Sequence, residues 1–509
     1  MTVTPANRQT TAGGSPYRAE PTVLATLRSP RALTREALAG LVVALALIPE
    51  AISFSIIAGV DPRVGLFSSF IMAVTIAFVG GRPAMISAAT GAVALVIAPV
   101  SRELGFDYFI ATVLLAGVFQ ILLGALGVAR LMRFIPRSVM VGFVNALALL
   151  VFAAQFPHLI GVPWLVYPLV AGGLLLLVVL PRLTRVVPAP LVTVVVVTTV
   201  SVAFAMHVPT VGDQGELPSS LPEFFLPDVP VTWETLRLIA PYALGMALVG
   251  LMETLLTAKL VDDITDTRSN KTRESWGQGV ANIASGLFGG MGGCAVVGQT
   301  MINVKVSGAR TRISTFLAGA FLLVLVVALG DLVAVIPMAA LVAVMIVVSA
   351  TTFDWHSVSP STLRRMPLSE TLVMISTVVV VLATSNLAIG VVFGVVVASV
   401  LFVRRVARVV TVDRELVRID GADAARYTVN GELFFASSNE LTTLFDYAGD
   451  PERVIIDLTR SHIWDASTVA AIDAIETKYA KHGAAVELIG MNDVTATFHS
   501  RLSGELGSV

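Results

Sequence analysis

The sequence predicts a polytopic α-helical membrane protein of about fourteen transmembrane segments, arranged as two inverted repeats of seven and followed by a small α/β domain. Three observations predict this fold class. Of the 509 residues, 55% are hydrophobic and 14% are charged, whereas about 25% of an average soluble protein is charged. Apolar stretches of spanning length recur through residues 37–410. The remaining tail, residues 411–509, holds 24 of the 69 charged side chains (34 basic and 35 acidic in all).

This composition excludes several classes of protein. So few polar residues do not cover a soluble protein of this size, and so hydrophobic a chain does not remain disordered. The formal net charge of −1 argues against a nucleic-acid partner, which would need a strong basic excess. A single cysteine, Cys294, excludes an intrachain disulfide, and no histidine pair has metal-ligand spacing. We therefore expect no metal, no cofactor and no enzymatic activity.

The apolar segments divide evenly around a long polar stretch. A spanning helix needs about 20 apolar residues. The first seven segments are residues 37–58, 64–80, 84–100, 108–128, 138–156, 164–181 and 189–206. The second seven are residues 239–261, 276–289, 294–306, 313–330, 332–352, 369–385 and 387–403.

Basic residues orient these segments, because Lys and Arg are enriched in cytoplasmic connections. If residues 1–36 are a cytoplasmic N-terminal segment, every later connection on that side is basic, whereas the opposite loop, residues 207–236, has no Lys or Arg. The basic residues are Arg8, Arg18, Arg28, Arg31 and Arg35 in the N-terminal segment, then Arg82, Arg130, Arg133, Arg137, Arg182, Arg185, Lys259–Arg273, Arg310, Arg312, Arg364, Arg365 and Arg404–Arg408. Both termini and the tail are therefore predicted to be cytoplasmic, with the membrane domain at residues 37–410.

Seven spans per half mean that the second half enters the membrane from the opposite side, as in many secondary transporters. The third segment (Gly80–Pro99) and the tenth (Gly289–Gly308) are both short and interrupted by Gly or Pro. Such segments form half-helices that leave backbone amides free near the bilayer midplane. We therefore expect the substrate site at Ala88–Val93 and Ala295–Thr300.

Two carboxylates lie deep in apolar segments. Glu50 and Glu253 each lie about fourteen residues into their segments, so they are near repeat mates. A charge at the membrane centre costs about 2.5–3.5 kcal/mol even on mild scales, so it must be paired, hydrated or protonated. Each is either a proton or cation site facing a cavity, or a structural carboxyl bound to broken helix backbone.

Two further stretches allow two interpretations each. The glycine-rich stretch Ser285–Gly298 serves either close helix packing or an irregular approach that exposes amides to an anion. The cluster of Asp262, Asp263 and Asp266 among basic residues is typical of a solvated loop with helix caps, with a gate as the alternative.

The tail has α/β alternation and no catalytic motif. Strands are predicted at Arg426–Phe435, Val454–Leu458 and Ala485–Ile489, with an amphipathic helix at Ser467–His482. This pattern favours a regulatory or interaction domain over an enzyme.

Three stretches in the right order resemble the sulfate permease family, also called solute carrier family twenty-six. They are IPEAISFSIIAGVDPRVGLF, GQGVANIASGLFGGMGGCAVVGQTMINVKVSGART and, in the tail, IDLTRSHIWDASTVAAI. The third resembles the family's cytoplasmic STAS domain. The resemblance implies a core domain that moves against a gate domain, a homodimer, a bacterial inner-membrane location and anion transport.

The resemblance also implies which residues form the site. The residues expected to bind substrate are Ser53, Phe54, Ala88, Ala89, Thr90, Gly91, Ala295, Val296, Val297, Gly298 and Gln299. The residues expected to couple a proton or a cation are Glu50, Glu253, Thr254 and Thr257.

The chain departs from the family pattern at informative positions. Glu50 replaces a common glutamine, Ala89-Thr90 replaces Gly-Pro, and Gly298-Gln299 replaces a Ser-Arg pair, which removes a fixed positive charge. In the tail, Ala466 replaces the serine that is phosphorylated in related bacterial domains, with Ser467 beside it. Phosphorylation at that position is therefore not expected.

These departures predict proton-coupled symport of a small carboxylate or dicarboxylate such as fumarate. A carboxyl group takes up a proton more readily when it is buried or beside an anion, so protonation of Glu50 would favour anion binding. The alternative is a sodium-coupled bicarbonate or sulfate transporter that uses Glu253 with Thr254 or Thr257. From another class, the chain could be a membrane-anchored scaffold whose STAS domain recruits a cytoplasmic protein.

Overall fold

The computed structural model describes residues 21–127, 130, 135–183, 188–407, 410–419 and 421–503. Of the predicted cytoplasmic arginines, Arg8, Arg18, Arg133, Arg185 and Arg408 lie outside these residues. The chain divides into two compact units, Met1–Val395 and Val396–Val509.

Helices coincide with every predicted membrane segment, which confirms the helical membrane fold. In the first repeat they are α2 (Pro30–Ala58), α3 (Pro62–Val79), α4 (Gly91–Leu104), α5 (Phe106–Ala125), α6 (Arg137–Ala153), α7 (Val166–Leu183) and α8 (Ala189–Ala203). In the second repeat they are α9 (Trp233–Thr265), α10 (Lys271–Leu287), α11 (Val297–Met301), α12 (Arg312–Ala328), α14 (Met338–Thr352), α16 (Leu368–Thr384) and α17 (Leu387–Ala407). Short helices α1 (Val23–Leu27), α13 (Gly330–Ala334) and α15 (Pro360–Arg365) and two 3₁₀ turns (Phe156–His158 and Gly212–Gln214) lie between them. Within the described residues, seven helices are long and apolar enough to cross a membrane.

The longest helices begin and end at recognisable residues. Pro30 is the first residue of α2, where its missing N–H costs nothing, and Gly59 ends the helix in the left-handed conformation at φ 77°. Helix α9 begins after Thr232, whose side chain accepts a hydrogen bond from the Thr235 amide. It continues to Thr265, so Asp262 and Asp263 are helical rather than in the predicted loop. Only Asp266 lies beyond the helix, as its left-handed C-cap residue.

Helix packing reproduces the inverted repeat. Helix α5 packs against α9 and α10, and its repeat mate α12 packs against α2 and α3. In the same way α6 packs against α16, and α14 packs against α7. Equivalent helices of each half therefore pack against the opposite half, so neither half forms a separate bundle.

The two interrupted segments meet in a short sheet. Strand β1 (Ser87–Ala88) precedes α4, and strand β2 (Cys294–Ala295) precedes α11. The strands pair in an antiparallel manner, with Ser87 opposite Ala295. Beyond Met301 the second half-helix continues as one π-helical stretch, Ile302–Val306. The sheet thus joins the starts of both half-helices.

The second unit contains a four-stranded sheet. Its strands are β3 (Thr411–Ile419), β4 (Ala422–Leu433), β5 (Arg453–Ile463) and β6 (Ala485–Ile489), and its helices are α18 (Phe435–Leu441), α19 (Ala466–Lys481) and α20 (Asp493–Leu502). β3 and β4 are antiparallel, whereas β4, β5 and β6 are parallel. The predicted α/β tail is therefore confirmed, although β3 was not predicted.

A buried polar network lies within this unit. The Asp450 carboxylate accepts hydrogen bonds from the Tyr427 and Tyr479 hydroxyls at 2.5 and 2.6 Å, and Arg414 lies 2.7 Å from it. Burial and the hydrogen bond to Asp450 raise the pKa of Tyr427. This network links β3, β4 and α19 around one carboxylate.

Candidate functional site

The sheet between the half-helices brings the two predicted stretches together. Ala88 lies opposite Cys294, and the Val296 amide donates to the Ile86 carbonyl at 2.8 Å. Ala89 and Thr90 then lead into α4, while Val296 leads into α11. The first amides of a helix have no acceptor within that helix, so both half-helices present backbone donors at this crossing.

Helix α10 holds this crossing in place with amide side chains. Asn282 accepts from the Gly293 amide at 2.8 Å and donates to the Gly293 carbonyl at 3.1 Å. Gln278 accepts from the Ser87 hydroxyl at 3.1 Å. The Thr300 hydroxyl accepts from the Ile86 amide at 3.0 Å. The irregular backbone is thus hydrogen-bonded from both sides.

Glu50 contacts the second half-helix. Its carboxylate oxygen Oε1 accepts a hydrogen bond of 3.0 Å from Nε2 of Gln299. Gln299 is only 2% exposed, and its Oε1 has no hydrogen-bond partner among the described residues. Val297 and Gly298, directly before it, are exposed. The acid therefore sits beside an accessible helix start.

Glu253 contacts the same segment from the other repeat. The Cys294 thiol donates to Glu253 Oε2 at 3.0 Å, and the Thr90 hydroxyl lies 3.1 Å from the same sulfur. Both acids are half-buried. Among the described residues neither acid takes part in an ion pair. The predicted pair of deep acids therefore converges on Cys294–Gln299.

The other predicted site residues have varied positions. An added Cβ at Gly91 would lie 2.8 Å from the Phe54 ring, so these two residues are in close contact. The Ser53 hydroxyl donates to the Pro49 carbonyl at 2.8 Å. The Thr254 hydroxyl accepts from the Ala295 amide at 3.2 Å.

Thr257 is not brought to the Glu253 carboxylate. Its hydroxyl donates to the backbone carbonyl of Glu253 at 2.8 Å, within the same helix. Such i to i−4 bonds are the usual arrangement of threonine in a helix interior.

A buried charged layer lies at one end of the half-helices and was missed by sequence reasoning. Arg82 donates to Asp262 at 3.0 Å and to Thr267 at 2.7 Å. The Glu274 carboxylate accepts from the amides of Gly81 and Arg82 at 2.6 and 2.8 Å.

Glu36 plays the same part at the end of the second half-helix. Its carboxylate accepts from the amides of Arg310 and Thr311 at 2.8 and 3.3 Å. One glutamate therefore holds the chain before β1 and another holds the chain after α11.

The contacts of α10 had a signal in the sequence. Polar residues interrupt this apolar segment at spacings of three and four, the period of one helix face. They are Ser275, Gln278, Asn282 and Ser285, and all four are buried. The role of Cys294 had no comparable signal, because a lone buried cysteine is ordinary in an apolar segment.

Comparison with known proteins identifies the family. The model of the sulfate permease family matches residues 33–167 and 163–377, and the STAS domain model matches residues 414–502. "Putative sulfate transporter YbaR" of Bacillus subtilis is 50% identical over 471 residues, which is 92% of this chain and 97% of that protein. The chain belongs to the sulfate permease family.

Other members of the family agree with this assignment. "Bicarbonate transporter BicA" of Picosynechococcus is 27% identical over 86% of this chain and 85% of that protein. The structure of murine solute carrier 26 family member A9, an anion transporter in the inward-facing state, matches with a TM-score of 0.78 at 17% identity, covering 92% of this chain and 87% of that one. The transmembrane domain of a cyanobacterial BicA matches with a TM-score of 0.62 at 24% identity, covering 72% and 97%. The relatives are polytopic transporters, so a membrane location follows, and the two structures share the fold.

Proposed function

We propose that this protein is a secondary transporter that carries a small anion together with a proton. One observation carries the proposal: the Glu50 carboxylate is hydrogen-bonded to Gln299 at the exposed start of a half-helix. Helix starts with free amides favour anions. Among the described residues no cation is ion-paired to the acid, so its ionised form opposes a second negative charge.

Protonation of Glu50 removes that opposition. While ionised, the carboxylate repels an incoming anion and accepts the hydrogen bond from the side-chain amide of Gln299. Once the carboxyl is neutral, this N–H and the amides of Val297 and Gly298 are free to donate to the anion. The anion in turn favours the neutral carboxyl, because a neighbouring negative charge disfavours ionisation. Each ligand therefore increases the affinity for the other, which is the requirement for symport.

We propose a small dicarboxylate such as fumarate as the substrate. Relatives are named sulfate and bicarbonate transporters, so sulfate and bicarbonate are the competing candidates. The site offers backbone and amide donors in place of the arginine typical of the family. A planar carboxylate suits such donors, since each of its oxygens accepts two hydrogen bonds.

Uptake into proteoliposomes tests the coupling. In the wild type we expect an inwardly directed proton gradient to stimulate fumarate uptake, and in Glu50→Gln we expect uptake that no longer responds to the gradient. Glu370→Gln is the matched control, because Glu370 is exposed in the first turn of α16. Full proton dependence in Glu50→Gln would overturn the coupling mechanism. Sulfate and bicarbonate competition in the same vesicles identifies the anion.

The sodium-coupled alternative makes a different prediction. It would place a cation at Glu253 with Thr254 or Thr257. In the structure the Cys294 thiol donates to Glu253, and the Ala295 amide donates to Thr254. Oxygen atoms that a cation would need are thus already hydrogen-bonded, which argues against a cation site here. If choline in place of sodium abolishes uptake, the sodium-coupled mechanism holds.

The scaffold alternative is tested without the tail. Residues 37–410 are proposed as the transport domain and residues 411–509 as a cytoplasmic STAS domain that recruits a partner. Substrate-dependent uptake by residues 1–410 would exclude a pure scaffold.

We further propose that both termini are cytoplasmic in a bacterial inner membrane and that the protein is a homodimer. Protease digestion of inside-out vesicles should remove the tail, and crosslinking should give a dimer.

A further inference from the structure

A positively charged cavity lies along the same two helices that carry Glu50 and Gln299. Its volume is about 530 Å³. It is lined by Arg31, Arg35 and Leu38 of α2, by Ile302 and Ser307 at the end of the second half-helix, and by Pro188 before α8. We call it the arginine vestibule. Among the residues that the structure describes, no acidic side chain lines it.

The vestibule lies further along the two segments that carry the Glu50 site. Helix α2 and the second half-helix run antiparallel: Gln299 contacts Glu50, and an added Cβ at Gly308 would lie 3.6 Å from Cδ of Arg35. At 1.5 Å per residue, the fifteen residues from Arg35 to Glu50 span about 22 Å. Ile302 lies one turn from Gln299 and lines the vestibule. The vestibule and the Glu50 carboxylate therefore lie along the same pair of segments, with Arg35 at one end and Glu50 at the other.

The two arginines are placed to bind a small anion. They are four residues apart on α2, so their side chains project from one face of the helix. Both are exposed, and neither forms an ion pair with another described residue. Glu36, next to Arg35, is fully buried and directs its carboxylate to the amides of Arg310 and Thr311. The Glu36 carboxylate is therefore hydrogen-bonded to backbone amides, and no ion pair with either arginine is seen among the described residues.

We propose that Arg31 and Arg35 form a capture site for the substrate anion at the cytoplasmic mouth, favouring a dianion over a monoanion. This rests on the proposed function and on the proposed orientation of the N-terminus. The capture site supplies the fixed positive charge that the site at Gln299 lacks. A cleft of one charge sign raises the local concentration of counter-ions by about 10- to 1,000-fold. The arginines therefore set the apparent affinity on one face only.

Exchange kinetics in oriented vesicles test the proposal. Labelled fumarate exchange is measured without a gradient while its concentration is varied on one face. In Arg31→Gln/Arg35→Gln we expect the cytoplasmic KM to rise about tenfold at low salt, with Vmax and the KM of the other face unchanged. The rise should be smaller for a monocarboxylate and should shrink as salt screens the charges. Arg28→Gln is the matched control, since Arg28 is exposed but does not line the cavity.

A second measurement does not depend on transport. Ser307→Cys, or Thr34→Cys if the first variant does not fold, places a thiol in the vestibule, and the native Cys294 is fully buried. Its labelling by negatively charged methanethiosulfonate reagents should be faster than by positively charged ones. The ratio should fall about tenfold when both arginines are replaced. If the ratio of the two labelling rates is unchanged, the capture site is overturned, even where wild-type uptake follows the proposed function. If the wild type shows no uptake, only the proposed function is refuted.

Lipid composition separates the substrate from a lipid headgroup, which has a similar anionic chemistry. The KM shift should be the same in vesicles of phosphatidylcholine alone and in vesicles that also contain phosphatidylglycerol. A shift seen only with phosphatidylglycerol, or an equal rise in KM on both faces, overturns the proposal.

Discussion

Replacing Gly293 by alanine tests whether the crossing of β1 and β2 holds the site together. An added Cβ at Gly293 would lie 2.6 Å from the carbonyl carbon of Ala88 and closer still to its oxygen. Carbon atoms pack at about 3.5–4.0 Å, so the two strands must separate by about 1 Å. The obstacle is backbone, which side-chain rotation does not relieve.

The cost follows from the hydrogen bonds that cross this point. The bond from Val296 to Ile86, 2.8 Å long, and the bond from Asn282 to the Gly293 carbonyl, 3.1 Å long, would stretch beyond bonding distance. Each buried bond lost costs about 1–3 kcal/mol, so two cost about 2–6 kcal/mol. Since net stabilities are about 5–15 kcal/mol, we expect a poorly folded protein.

Gly298→Ala is the matched control, five residues further along the same segment. Apart from its own helix backbone and chain neighbours, no heavy atom of the described residues lies within 4 Å of an added Cβ there, and Gly298 is exposed. We expect its stability to remain within about 0.5 kcal/mol of the wild type. Heating in detergent followed by size-exclusion chromatography measures the fraction that remains monodisperse. If Gly293→Ala survives heating as well as Gly298→Ala, the crossing does not carry the stability assigned to it. Because the added methyl group narrows the proposed anion site, Gly298→Ala should instead raise the KM for uptake.

Three further predictions concern single charged groups. In the variant Gln299→Arg the guanidinium should pair with Glu50 and make uptake independent of pH, measured as a flat pH profile between pH 5 and pH 8. If uptake keeps its pH dependence, the coupling role of Glu50 is contradicted. Arg82→Gln should lower the free energy of unfolding by about 1–3 kcal/mol, because it removes hydrogen bonds from a buried guanidinium to Asp262 and Thr267, while Lys271 still pairs with Asp262 at 2.5 Å. A stability equal to the wild type counts against the buried layer. In the tail, burial raises the pKa of Asp457, but hydrogen bonds from Thr459 and Arg426 outweigh it and lower the pKa to about 2. Because the pKa of an Asp is about 3.9 in the unfolded chain, the lower value in the fold stabilises the folded state by about 2 kcal/mol above pH 4. This stabilisation is lost as the pH falls towards about 2. Asp457→Asn should therefore destabilise residues 411–509 at pH 7 and have little effect near pH 2, as thermal unfolding would show; an equal effect at both pH values would refute this.

Much of the membrane fold follows from local sequence. An apolar stretch predicts a helix wherever it occurs, because the bilayer requires each backbone group to bond within its own segment. The glycines and prolines around β1 and β2 predicted the two half-helices for the same reason. The depth of Glu50 and Glu253 in their segments was likewise visible by counting residues.

Other features were invisible because they depend on partners far apart in the chain. The polar side chains of α10 had a helical period, but nothing in that period indicates that Asn282 holds Gly293. The predicted loop at Asp262 and Asp263 is wrong, because α9 continues to Thr265. Acidic residues near a helix end are typical of both a loop and a last turn. Asp262 in that last turn is paired with Arg82, 180 positions away, so its partner is not visible in the local sequence.

Hydropathy and the distribution of basic residues by themselves determined a polytopic helical protein in two inverted halves with an α/β tail, because those signals are local and add up along the chain. Only the tertiary structure decided which groups meet. Gln299 donates to Glu50 across 249 positions, and Cys294 joins Glu253 to Thr90. Hydrogen bonds form only within a few tenths of an ångström of their ideal length. That distance is set by the packing of α2, α9 and the two half-helices together and by no single segment.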